Sequence, residues 1–204
     1  MAEDCCNTTI IVANERYRRV LWIALGINAV MFVVEIAGGF ISGSVSLLAD
    51  AIDFLGDSAN YGLSLAVFSL GMMWRARSAL LKGLCMGGYG VFVMARAGWA
   101  ALYGEPPEPF IMGAVAVVAL FANLGVAAML FAYRQGDSDM RSVWLCSRND
   151  AINNIAVIIA AIIVFGTASK WPDLAVAAVM GTLGLTSSAA VIRHALGDMR
   201  SVRA

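Results

Sequence analysis

Six apolar runs, each long enough to cross a bilayer, dominate this chain and leave little else. They cover roughly residues 20–41, 46–73, 79–103, 110–133, 140–166 and 174–195, and about 20 apolar residues are enough to traverse ~30 Å of hydrocarbon as a helix. Only helices and closed barrels satisfy their backbone in lipid, and these runs lack the short alternating pattern of barrel strands. The expected fold is therefore an all-α integral membrane protein, a bundle of six transmembrane helices. Of its 204 residues 60% are hydrophobic and 14% charged, and the mean hydropathy of +0.78 excludes a water-soluble domain with a polar exterior. The expected organisation is a tail over 1–19, a six-helix domain over 20–195 and a short tail over 196–204.

The net charge is zero, but the charges are unevenly placed. Arg16, Arg18 and Arg19 precede the first run, and Arg75, Arg77 and Lys82 follow the second. Arg134 and Arg141 flank the fourth connection, and Arg193, Arg200 and Arg203 close the chain. Together these are 11 of the 14 basic residues, all on one side of a six-span layout. Lys and Arg in short flanking segments stay in the cytosol, which predicts that both termini are cytoplasmic. The small residues Ser42, Gly43 and Ser44 could end a signal peptide, but the run before them is too long for one and carries Glu35. Four cysteines without a framework spacing are expected to be free thiols.

Charged side chains near the bilayer centre cost roughly 2.5–3.5 kcal/mol each, so acids that stand there need a purpose. In the second run Asp53 and Asp57 are four residues apart, which stacks both carboxylates on one helix face. At 1.5 Å per residue Asp57 would lie about 16 Å from the nearer end of its run, too deep for its short side chain to reach water. In the fifth run Cys146 and Asp150 repeat the separation of four. That run points the other way, and with depths of about 9 Å and about 15 Å these two come level with Asp57 and Asp53, within about one turn. Asp53, Asp57, Cys146 and Asp150 thus form a candidate four-ligand cage. Three carboxylates and a thiolate suit a borderline-soft divalent ion, Zn²⁺ or Cd²⁺ ahead of Mg²⁺, Ca²⁺ or Mn²⁺. If Asp50 and Asp53 instead reached the surface and Asp150 paired with Arg148, Asp57 would have no partner.

Around this cage, Asn28 and Glu35 share a face of the first helix by their separation of seven. With Asp50, Arg148 and Asn154 they are candidates for support of the ligands or a proton path. Asp50 could also attract cations at the outer mouth or cap its helix, and Asn153 and Asn154 could serve hydrogen bonding between helices. Cys5 and Cys6 lack metal-binding spacing, Cys85 suits packing, and His194, the only histidine, stands at the end of the sixth run. Gly39 with Gly43, and Gly83 with Gly87, have the spacing of close helix contacts and are candidates for a dimer seam.

The stretch Ser-Val-Ser-Leu-Leu-Ala-Asp-Ala-Ile-Asp-Phe-Leu-Gly-Asp over 44–57 resembles the second-helix signature of the cation diffusion facilitator family. Asp-Ala-Ile-Asn-Asn-Ile-Ala-Val-Ile-Ile-Ala-Ala over 150–161 is similar to the family's fifth helix, and Trp171-Pro172-Asp173 to the turn that opens its sixth. Asn28, Glu35 and Asn123 also stand where the family places polar residues. The resemblance implies proton-coupled efflux of Zn²⁺ or a related ion such as Cd²⁺ or Co²⁺, one mid-membrane site per protomer and a homodimer. The chain departs from the family by having Cys146 in place of the usual His. It also shows no His-rich loop between helices 4 and 5 and only about ten residues after helix 6, where the family carries a soluble domain.

Burial disfavours a bare charge, so metal and proton would compete for one set of carboxylates, with Asp57 and Asp150 the principal proton carriers. The expected partners are a divalent cation, protons and the lipid bilayer, with no permanent cofactor and no nucleic acid. The expected location is a bacterial inner membrane. A passive cation channel or a membrane metal sensor could use the same acids. An enzyme could not readily do so, because the chain has no Ser–His or Glu-x-x-His pair and its one histidine is terminal.

Overall fold

The computed structural model describes residues 15–66, 72–131 and 138–201, with the side chains at 64, 66, 72, 75, 138–148 and 201 outside the description. Cys5, Cys6, Arg134 and Arg203, and the side chains of Arg75, Arg141, Cys146 and Arg148, therefore lie outside the described residues. Six helices follow one another: α1 Glu15–Ser42, α2 Val45–Ala66, α3 Met72–Tyr103, α4 Pro109–Phe131, α5 Ser138–Thr167 and α6 Trp171–Ser201. The third helix begins seven residues earlier than its apolar run, because the helix continues through Arg75 and Arg77, where hydropathy alone falls away.

All helices but α2 contain a stretch long and apolar enough to cross a membrane. The exception has the length, 22 residues or about 33 Å, but carries Asp50, Asp53 and Asp57. Its acids are tolerated because α2 is the hub of the bundle, touching each of the other five helices. The burial pattern is that of a protein solvated by lipid. Trp22, Ile23, Val30, Phe40, Val91 and Phe121 are exposed, whereas Asn28, Glu35, Asp50, Asp57, Lys82, Asn123, Asp150, Asn154 and Asp173 are buried. It is a multi-pass membrane protein.

The three short connections gather at one end of the bundle. Gly43 reverses the chain between α1 and α2 with φ +75°, a conformation that a Cβ disfavours. Ser42 O accepts from Glu108 N at 2.8 Å, and Gly104 O accepts from Lys170 Nζ at 2.9 Å. The turns after α1, α3 and α5 are thereby laced together. Pro109 opens α4 where its missing N–H costs nothing, and Glu108 accepts from Phe110 N and Ile111 N at 3.2 and 2.5 Å.

Three of the glycines considered for a dimer seam, Gly39, Gly83 and Gly87, pack against helices of the same chain. A Cβ on Gly83 would stand 2.8 Å from Ile192, and one on Gly87 only 2.6 Å from the Ser188 hydroxyl, both on α6. Ser188 Oγ in turn donates to Gly83 O at 2.8 Å. On α1, a Cβ on Gly39 would meet Leu48 of α2 at 2.7 Å. Small residues let these backbones approach, and the approach holds α3 to α6 and α1 to α2.

Candidate metal site

The position of α2 is set at its first turn. Asp173, at the start of α6 and 1% exposed, accepts four hydrogen bonds from that turn. Its Oδ1 takes Ser44 Oγ at 2.6 Å, Ser46 N at 3.0 Å and Ser46 Oγ at 2.6 Å, and its Oδ2 takes Val45 N at 2.9 Å. Ser44 Oγ also accepts from Leu47 N at 3.2 Å. A carboxylate at a helix N-terminus satisfies N–H groups that have no partner within the helix and complements the helix dipole. Asp50 was considered for a capping role. The structure gives that role to Asp173 and Ser44 and leaves Asp50 fully buried, one to two turns further along.

Two asparagines of α5 reach the acids of α2. Asn154 Nδ2 donates to Asp50 Oδ2 at 2.5 Å, and Asn153 Nδ2 to Asp53 Oδ2 at 2.8 Å. Asn123 Nδ2 of α4 donates to Asn154 Oδ1 at 2.9 Å, so three helices share one buried chain of amides. These bonds set the register of the antiparallel pair. Counted back from them, Asp150 lies level with the stretch between Asp53 and Asp57, and position 146 level with Asp57, within about one turn.

Asp57 is 7% exposed and Asp150 9%, while Asp53 is partly buried. Asp57 Oδ2 accepts from the Tyr61 hydroxyl at 3.0 Å. Among the described residues, no three His, Cys, Asp or Glu side chains converge closely enough to hold a metal ion. The structure therefore brings Asp53, Asp57 and Asp150 to one depth of the bundle but not into a closed cage, and Cys146 and Arg148 stand outside the description.

Glu35 and Asn28 are both buried on the inner face of α1. Asn28 Nδ2 donates to Ala24 O of its own helix at 2.8 Å. The Glu35 carboxyl faces Asp50, and among the described residues neither Glu35 oxygen nor Asp50 Oδ1 receives a hydrogen bond. Two carboxyls give each other no donor unless one carries a proton or a cation lies between them.

Lys82 is a correction to the sequence reading. Grouped there with the basic residues flanking the second run, it is 6% exposed, inside the bundle on α3. Its ammonium donates to Asn60 Oδ1, one turn beyond Asp57 on α2. The available signal was its position, since Lys82 already falls within the third apolar run. Tyr61 and Asn60 were also missed; each lies one turn beyond Asp57 and so on its face. Exposed His194 and exposed Cys85 take no part in the site.

A family described as "Cation efflux transmembrane domain" matches residues 21–199. The chain belongs to the cation efflux family. Its relatives include the metal cation efflux system protein CzcD of Cupriavidus metallidurans, 26% identical over 80% of this chain and 55% of the relative. The zinc transporter ZitB of Escherichia coli is 26% identical over 98% of this chain and 68% of the relative. The cadmium, cobalt and zinc/H(+)-K(+) antiporter of Bacillus velezensis is 23% identical over 88% of this chain and 62% of the relative. The chain thus spans little more than half the length of the first of them. The match is to a transmembrane domain named for cation efflux, and it takes in the buried acids of α1, α2 and α5.

Proposed function

We propose that this chain exports a divalent transition-metal ion from the cytosol in exchange for protons, by alternating access, with Zn²⁺ the foremost substrate and Cd²⁺ or Co²⁺ accepted. The observation that carries the reading is the face of α2 with partly buried Asp53 and buried Asp57, bonded by Asn153 so that Asp150 comes to the same depth. Asp53, Asp57, Cys146 and Asp150 are the proposed ligands. Asn154 aligns α5 with α2, and Glu35, Asp50 and Asn28 line a proton route beside it. Names such as zinc transporter and cadmium, cobalt and zinc antiporter among the relatives support this substrate class.

Carboxylates cannot hold a proton and a metal at the same oxygen, so acidification on the release side would drive the ion off. Metal binding should weaken as pH falls. The flanking Arg residues support a cytosolic position for both termini. The bacterial relatives point to an inner membrane, and the resemblance to the family points to a homodimer.

The test is metal-driven proton flux in proteoliposomes. Asp57→Asn and Asp150→Asn are each expected to reduce Zn²⁺-driven proton movement to background, on the order of 100-fold, while the variants still insert and fold. Undiminished flux in both would end the reading. Zn²⁺ movement with no accompanying proton movement would identify a channel, and binding without movement a sensor.

A further inference from the structure

Beyond the acids, a buried cation stands beside the candidate metal site. Lys82 is 6% exposed, and its backbone is held in place because the adjacent Gly83 packs directly on Ile192 of α6. Its ammonium donates to Asn60 Oδ1. Along α2, Asp57 is flanked one turn before by Asp53 and one turn after by Asn60 and Tyr61, so Lys82 stands at the end of the site away from Asp53. A lysine ammonium is a compact charge on a flexible stem, and held by Asn60 it lies one turn from the Asp57 carboxylate.

We propose that Lys82 is a tethered counter-cation of the metal site: its ammonium, held on Asn60 one turn beyond Asp57, offsets the charge of the acids and by repulsion keeps a bound divalent ion exchangeable. The proposal rests on the assignment of Asp57 as a ligand. Two positive charges within one helical turn repel strongly away from water, so a site with a built-in ammonium holds its metal less tightly than the acids alone would. A transporter benefits from that loss, because an ion bound too firmly is released too slowly.

The experiment is isothermal titration of the full chain in lipid nanodiscs with Zn²⁺ alone, paired with Zn²⁺ transport in vesicles. Lys82→Gln is expected to tighten Zn²⁺ binding about tenfold or more and to lower KM and maximal rate together, whereas Lys82→Arg stays near the unmodified chain. Tightening is a result that structural damage does not produce. Asn60→Ala, which removes the tether and lets the ammonium move toward Asp57, is expected to weaken Zn²⁺ binding a few-fold when Lys82 is present and to have no effect in the Lys82→Gln background. Unchanged or weaker binding in folded Lys82→Gln overturns the proposal, as does an Asn60→Ala effect that persists without Lys82. If Lys82→Gln does not fold, Lys82→Met takes its place, and if neither folds the Asn60→Ala arm decides by weakening binding or leaving it unchanged. Asp57→Asn separates the two levels: if it binds Zn²⁺ normally the ligand assignment fails, and if it loses binding while Lys82→Gln has no effect only the lysine proposal fails.

Discussion

The two halves of α2 are built from the same residue types and bonded in opposite ways. In the first half, from Val45 to Asp50, every residue is buried, and the opening turn is bound into Asp173 by four hydrogen bonds. In the second half, Asp53 and Asp57 each accept one hydrogen bond among the described residues, from Asn153 and from Tyr61. An ionised carboxylate can accept about four. The opening turn therefore has its donors spent on structure, while Asp53 and Asp57 keep acceptor capacity for something that comes and goes. A transporter needs both, a fixed end that holds the helix in register and an exchangeable end that handles the ion.

The comparison breaks most visibly at Asp173. Asp173→Ala would leave two backbone N–H groups and two hydroxyls without their acceptor, at a cost of about 3–5 kcal/mol, since each bond to a buried charge contributes about 1.5–3 kcal/mol and the hydroxyls can partly re-pair. Thermal unfolding in detergent measures it. Asp173→Asn, which keeps one acceptor oxygen, should fall between. If Asp173→Ala were as stable as the unmodified chain, the contrast between the two halves would have no energetic content.

Asn154→Ala is expected to have the next largest effect. It strands the Asn123 amide and removes the donor to Asp50, and leaving buried polar groups unsatisfied costs about 1–3 kcal/mol. Because both partners lie outside the proposed ligand set, Zn²⁺ affinity in the same protein should change by less than about threefold. A large loss of affinity with little loss of stability would move Asp50 and Asn154 into the exchangeable half.

What could be read from the chain follows the same division. The six helices were legible because lipid allows few alternatives to a 20-residue apolar helix, and the acids were legible because lipid penalises them individually. The partners of those acids were harder to see. Asp173 stands in the first turn of α6, where a carboxylate needs no explanation, and only the fold brings it 129 positions back along the chain to Ser44. Gly83 and Gly87 announced a close helix contact but not its partner, which proved to be Ser188 and Ile192 of the same chain. Lys82 was misread because a rule about net positive charge counts residues, whereas burial depends on which way one side chain turns. Membership of the cation efflux family was legible in the stretches at 44–57 and 150–161, where chemistry rather than packing restricts the residues.

The smallest stability effect is expected at Asn153, and it is the sharpest test of the comparison. Asn153 and Asn154 are adjacent, both donate to an aspartate of α2, and differ chiefly in which half of α2 they serve. Asp53 is partly buried, so on loss of its donor it can be rehydrated, and Asn153→Ala should cost under about 1 kcal/mol. Its effect should appear instead in metal binding. A hydrogen bond to a ligating carboxylate fixes the direction of its remaining lone pairs, and loss of such outer contacts typically lowers metal affinity about 10–100-fold. Titration of Zn²⁺ into Asn153→Ala and Asn154→Ala side by side, with unfolding measured on the same samples, should therefore give opposite profiles: affinity lost with stability kept at 153, stability lost with affinity kept at 154. Matching profiles would mean that α5 grips α2 uniformly and that the metal is held elsewhere.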